Sequence, residues 1–85
     1  MQKFFDWQVY PMTLRFITHR EKNEIQSLML KNAINDKHIC RKCAGFYKPR
    51  EFRLFMLGKK VIDESHIKGL IVYLTNYGEG YNIYG

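Results

Sequence analysis

Hydrophobic and polar positions alternate at the start of the chain. In QKFFDWQVY (residues 2–10), Phe5, Trp7 and Val9 stand against Asp6, Gln8 and Tyr10, the period of a half-buried strand. Pro11 interrupts it, and TLRFI (13–17) resumes the alternation, which predicts a second strand. After Thr18 the period lengthens. Ile25, Leu28, Met29, Asn32 and Ala33 recur at spacings of three and four, predicting a helix over 19–34 that ends near Asn35-Asp36. Thr18-x-x-Glu21 fits its start, because each side chain can satisfy the other residue's backbone N–H.

Residues 37–49 show no dominant period, and Gly45 and Pro49 punctuate them, so this stretch reads as a loop or knuckle. EFRLFML (51–57) and KKVI (59–62) flank Gly58 as a hairpin would, with a buried helical turn over LFML as the competing reading. Ile67, Leu70, Ile71 and Leu74 then give the clearest helical stripe, capped by Asp63 or Ser65. That helix is expected to stop at Asn76-Tyr77-Gly78, since glycine takes the left-handed closing conformation, leaving EGYNIYG as an edge strand. The resulting order, β-β-α-loop-β-β-α-(β), predicts one α+β domain over residues 1–85, with two helices packed on a short antiparallel sheet.

An aromatic fraction of 15% without low-complexity tracts argues for a folded chain. Eighty-five residues bury a limited core, so a metal or a second copy of the chain is an expected source of added stability. No apolar run approaches the roughly 18 residues of a membrane span. Lys3, Asp6 and Gln8 break the N-terminal apolar content, so a cytoplasmic protein is expected, in the host cytoplasm if the source is viral.

Charge is concentrated in the middle. Residues 1–36 carry +1, residues 37–60 carry +7 and residues 61–85 carry −2, within a total of +6. The central cations are Lys37, Arg41, Lys42, Lys48, Arg50, Arg53, Lys59 and Lys60, interleaved with Phe46, Tyr47, Phe52 and Phe55. Cations that displace counterions from phosphates, beside rings that stack on bases, are the footprint of nucleic-acid binding, RNA or single strands above all. Phe52 and Phe55 are assigned to the core, whereas Tyr47 and the loop cations are candidate contacts. The alternative partner is an acidic protein surface, for which Tyr and Arg are also favoured anchors.

HICRKC (38–43) lies in the same segment and holds both cysteines, Cys40 and Cys43. Two thiolates at i and i+3 can share a tetrahedral Zn²⁺, with His38, His19 or His66 completing the set, or with a second copy supplying another pair across a dimer. Free thiols and a redox pair are the other readings; Lys37, Arg41 and Lys42 beside the thiols would favour thiolate. CRKCAGFYKPREF (40–52) resembles the C-x-x-C…K-P-x-x-E-F knuckle of phage-type HNH nucleases related to endonuclease VII and of small zinc-ribbon proteins, matching at Cys40, Cys43, Lys48, Pro49, Glu51 and Phe52. The second cysteine pair and the His/Asn catalytic segment of those proteins are missing. The resemblance therefore implies metal binding by Cys40 and Cys43 and no nuclease chemistry.

Tyr73, Tyr77, Tyr81 and Tyr84 recur every three or four residues, a pattern read as core or dimer contact ahead of a stacking platform. An enzyme is not expected, because no nucleophile has a base near it in sequence and Asp63, Glu64 and Ser65 are explained by capping. The sequence thus points to a non-catalytic nucleic-acid-binding or regulatory protein, optionally zinc-stabilised. A phage-type modulator docking on a host or defence protein is the alternative.

Overall fold

The computed structural model describes residues 13–84, with side chains as far as Tyr77. The strand expected over residues 2–10 lies outside these residues. Among the described residues the chain forms β1 (Leu14–Arg15), α1 (His19–Asn32), α2 (Asp36–Lys42), α3 (Pro49–Met56), β2 (Ile62–Asp63) and α4 (Glu64–Tyr84). The expected α+β arrangement, two helices on a sheet, is replaced by four helices with a sheet of two residues per strand. No helix among the described residues is long and apolar enough to cross a membrane.

Local chemistry explains each boundary. Thr18 and Glu21 form the expected capping box at the start of α1, Thr18 Oγ1 accepting from the Glu21 N–H at 3.1 Å and Glu21 Oε1 from the Thr18 N–H at 3.0 Å. The other end is a Schellman motif: Ala33 turns left-handed (φ 54°), its N–H reaches the Leu30 carbonyl and the Ile34 N–H reaches that of Met29. Asn35 then starts a new helix, its Oδ1 accepting from the His38 N–H at 3.0 Å. Residues 37–42, read as part of a loop, are thus helical; the seven residues of α2 are under two turns, too few to display a period.

The expected 51–62 hairpin is also helical in its first half. Pro49 occupies the first turn of α3, where its missing N–H costs nothing, and Phe52, Phe55 and Met56 fall at i, i+3 and i+4 on its buried face. Gly58 (φ 76°) closes α3 by the same motif, with the Lys59 N–H on the Leu54 carbonyl at 2.9 Å. The chain then runs into β2, which pairs antiparallel with β1, Leu14 opposite Asp63 and Arg15 opposite Ile62. Asp63 caps α4 as expected, accepting from the Ser65 N–H at 3.1 Å and also from the Thr13 N–H at 2.9 Å. The α4 backbone continues through Asn76-Tyr77-Gly78 to Tyr84, so the expected stop and edge strand are both replaced by helix. Glycine within a helix costs only about 1 kcal/mol, which a continuing helix can absorb.

α1 packs on α4, and α2 packs on α3. Between them lie Ile25, Ile34, Ile39, Ile62, Ile67, Leu70 and Leu74, with Phe46, Phe52, Phe55 and Met56. Three of these rings form one cluster: Phe46, from the loop, sits 5.3 Å from both Phe52 and Phe55, with edge-to-face geometry toward Phe52. Phe52 and Phe55 are 2% and 0% exposed, as their assignment to the core required.

Candidate functional site

α2, the loop 43–48, α3 and the turn after it carry the whole basic stretch. Their apolar sides, Ile39 with Cys40 and Cys43 and Phe52 with Phe55 and Met56, face the core, and the cations of α2, the loop and α3 are exposed. Lys37 and Arg41 are one turn apart on α2, followed by Lys42; Lys48 precedes the first residue of α3, on which Arg50 and Arg53 are three residues apart. Lys59 is exposed and Lys60 half-buried beside them. Arg53 is engaged, its Nη1 donating to Asp36 Oδ2 at 2.9 Å and tying α3 to the first turn of α2. Among the described residues, none of the other seven cations makes an ion pair.

Tyr47 lies between Lys42 and Lys48 along this stretch with 82% of its surface exposed, although its neighbour Phe46 is 1% exposed. The contrast follows from the backbone just before it. Gly45 has φ +98°, and a Cβ there would lie 2.6 Å from His66 Nδ1, so only glycine lets the loop press against α4 while turning. Phe46 is thereby directed inward and Tyr47 outward. Beside Tyr47 opens a cleft of about 360 Å³, bounded by Gly45, Glu51, Lys60, Val61, Asp63 and His66 among others. Glu51, Val61 and His66 were missing from the sequence-derived site; His66 reaches it from α4, a contact that no local pattern announces.

The cysteine segment is organised differently from a knuckle. At about 100° per helical residue, His38 and Cys40 project from α2 roughly 200° apart, whereas Cys40 and Cys43 lie near one another on the core side. His38 Nε2 is 2.8 Å from the Tyr73 hydroxyl, and its ring meets Tyr77 edge-on at 5.6 Å. Tyr73 and Tyr77 are themselves paired at 5.8 Å, so this part of the tyrosine series packs against helix α2. Among the described residues no three His, Cys, Asp or Glu side chains gather into a metal-holding group. His38 is engaged with Tyr73 and is not gathered with Cys40 and Cys43 in this arrangement.

Burial works against the activated character that the thiols' cationic neighbours suggest. Burial raises the Cys43 pKa, assisted by Cys40, and burial raises that of Cys40, assisted by Asp36 and Glu51 against a smaller opposing effect of Arg53. Lys37, Arg41 and Lys42 face solvent while the sulfurs pack against the core, which is why proximity in sequence is not proximity in field. Asp63, Glu64 and Ser65 are used structurally: Asp63 accepts from Thr13 and Ser65, and Glu64 pairs with Arg15 and Lys68. No family model, curated protein or solved structure matches this chain.

Proposed function

We propose that this protein is a non-catalytic nucleic-acid-binding protein, acting on RNA or single strands through the face formed by α2, the 43–48 loop and α3. The observation that carries the reading is the unpaired basic face: of eight central cations only Arg53 is neutralised by an ion pair among the described residues. Clustered like charges keep a small protein soluble but repel one another, and an anion covering them would relieve that repulsion. Phosphates would do so with release of counterions, and the exposed Tyr47 supplies a ring for bases.

Charge reversal tests the reading. A variant carrying Lys37→Glu, Arg41→Glu, Lys42→Glu and Lys48→Glu is expected to lose RNA binding while its helical circular dichroism is unchanged, because all four side chains are exposed. For the wild type, log affinity is expected to fall linearly with log salt, about 0.7 per phosphate contacted on a single strand. Retained affinity in the variant would place binding elsewhere.

A second reading, docking on a protein partner, is favoured by one further feature. A groove of about 310 Å³ between α1 and α3 is lined by Met29, Met56 and Leu57 and edged by Lys22 and Arg53. Methionine-rich grooves adapt to varied partners. Co-purification at fixed stoichiometry, insensitive to nuclease and to the four-cation reversal, would favour this reading over the first.

A further inference from the structure

Resting on the nucleic-acid reading above, we infer that the cleft beside Tyr47 receives one unstacked base of a single strand, with Tyr47 as its stacking platform and Lys48 and Lys60 holding the flanking phosphates. Four observations converge there. Tyr47 is 82% exposed, although it follows a buried phenylalanine and precedes the start of a helix. It borders a cleft of about 360 Å³, ample for a planar base, which Val61 also lines. Lys60 lies in the lining and Lys48 adjoins Tyr47 in sequence, so positive charge sits beside the ring.

The fourth observation concerns sign. Glu51 and Asp63 line the same cleft, which makes it unsuitable for a phosphate and leaves the phosphates to the lysines. A base carries no charge and offers N–H donors. Asp63 already accepts from Thr13 and Ser65, whereas the Glu51 carboxylate makes no hydrogen bond among the described residues and is the acceptor left for a base edge. Because every base has a ring face and at least one edge donor, recognition of this kind is tolerant of sequence. In a duplex the bases are stacked and paired, so the cleft would go unused. The wall is fixed by Gly45, whose close approach to His66 holds the loop against α4.

The test uses full-length protein and a 5′-fluorescein-labelled RNA of about 12 nucleotides, within the span a small single-strand site covers, read by anisotropy against the same RNA in a duplex. Tyr47→Ala is expected to weaken single-strand binding about tenfold, the loss of one stacked base. Tyr47→Phe keeps the ring and should stay within about twofold of wild type. Neither variant should change the slope against log salt, whereas the double variant Lys48→Glu, Lys60→Glu should reduce it. If Tyr47→Ala binds like wild type while the four-cation reversal abolishes binding, the base cleft is wrong and the basic face stands. If wild-type protein binds no RNA even at low salt, the nucleic-acid reading fails, and the cleft with it. Equal affinity for the duplex, lost equally in Tyr47→Ala, would also overturn the inference, because a paired base cannot enter.

Discussion

Cys40 and Cys43 show how little a spacing says about a side chain's surroundings. Their i, i+3 interval is compatible with a metal, a disulfide exchange site or a helix end, and here Cys40 lies in the last turn of α2 while Cys43 is its extended C-cap. Both cysteines pack against the core cluster, while Arg41 and Lys42 between them are exposed. Burial favours the neutral thiol and raises both pKa values. At pH 7 both thiols are therefore expected to react with a disulfide reagent at least several-fold more slowly than free cysteine. Their rates should rise only at a pH above the ordinary thiol range, and full reactivity should return in denaturant. A native rate equal to or faster than free cysteine would mean a thiolate and reinstate the redox reading. At this scale the identities of the basic face were readable in the sequence, because exposed lysine and arginine have few other places to be. The turn that separates Phe46 from Tyr47 was not, since it depends on the distant His66 beside Gly45.

At the scale of elements, the parts readable in advance were those whose signal is local or repeated. The Thr18/Glu21 box and the Ile67, Leu70, Leu74 stripe meet that condition, and both stand in the structure. The short helices α2 and α3 do not, and aromatic residues with high strand preference disguised α3 as a hairpin. What joins the readable helices is a hub at their starts. Arg15 in β1 donates from Nη1 and Nη2 to the two Glu21 oxygens, each at 2.8 Å, and lies 3.5 Å from Glu64 at the start of α4. The Arg15 hydrogen bonds hold the Glu21 pKa down at about 2, from an ordinary 4.5. A carboxylate with a depressed folded pKa adds stability above its ordinary pKa and loses it as pH falls toward the folded one. The protein is therefore expected to lose this stability between about pH 4.5 and pH 2. Glu21→Gln should remove that part of the acid dependence and cost about 1 kcal/mol at pH 7, a partly exposed pair being worth little more. Urea midpoints of both proteins across that pH range check the claim, and parallel curves would show that the hub does not couple to folding.

For the whole molecule, the distribution of charge opposes the fold that displays it. A net +7 over residues 37–60 is held on two short helices and their connections, and the −2 of residues 61–85 only partly offsets it. Two salt effects compete. Screening weakens the ion pairs that Arg15, Arg53 and Lys68 make, which lowers stability, and it weakens repulsion among the central cations, which raises it. Among the described residues the ion pairs are few and solvent-accessible, worth typically below about 1 kcal/mol each, whereas the seven central cations without an ion pair repel one another in many combinations. Repulsion should dominate. Raising sodium chloride from about 0.05 M to about 1 M, where the screening length falls to about 3 Å, is expected to raise the melting temperature by several degrees. A polyanion that occupies the face should do the same at far lower concentration, because binding only the folded state stabilises it by mass action. A melting temperature that falls with salt would mean that the ion pairs outweigh the basic face, and would remove the argument that this face is built to be covered by an anion.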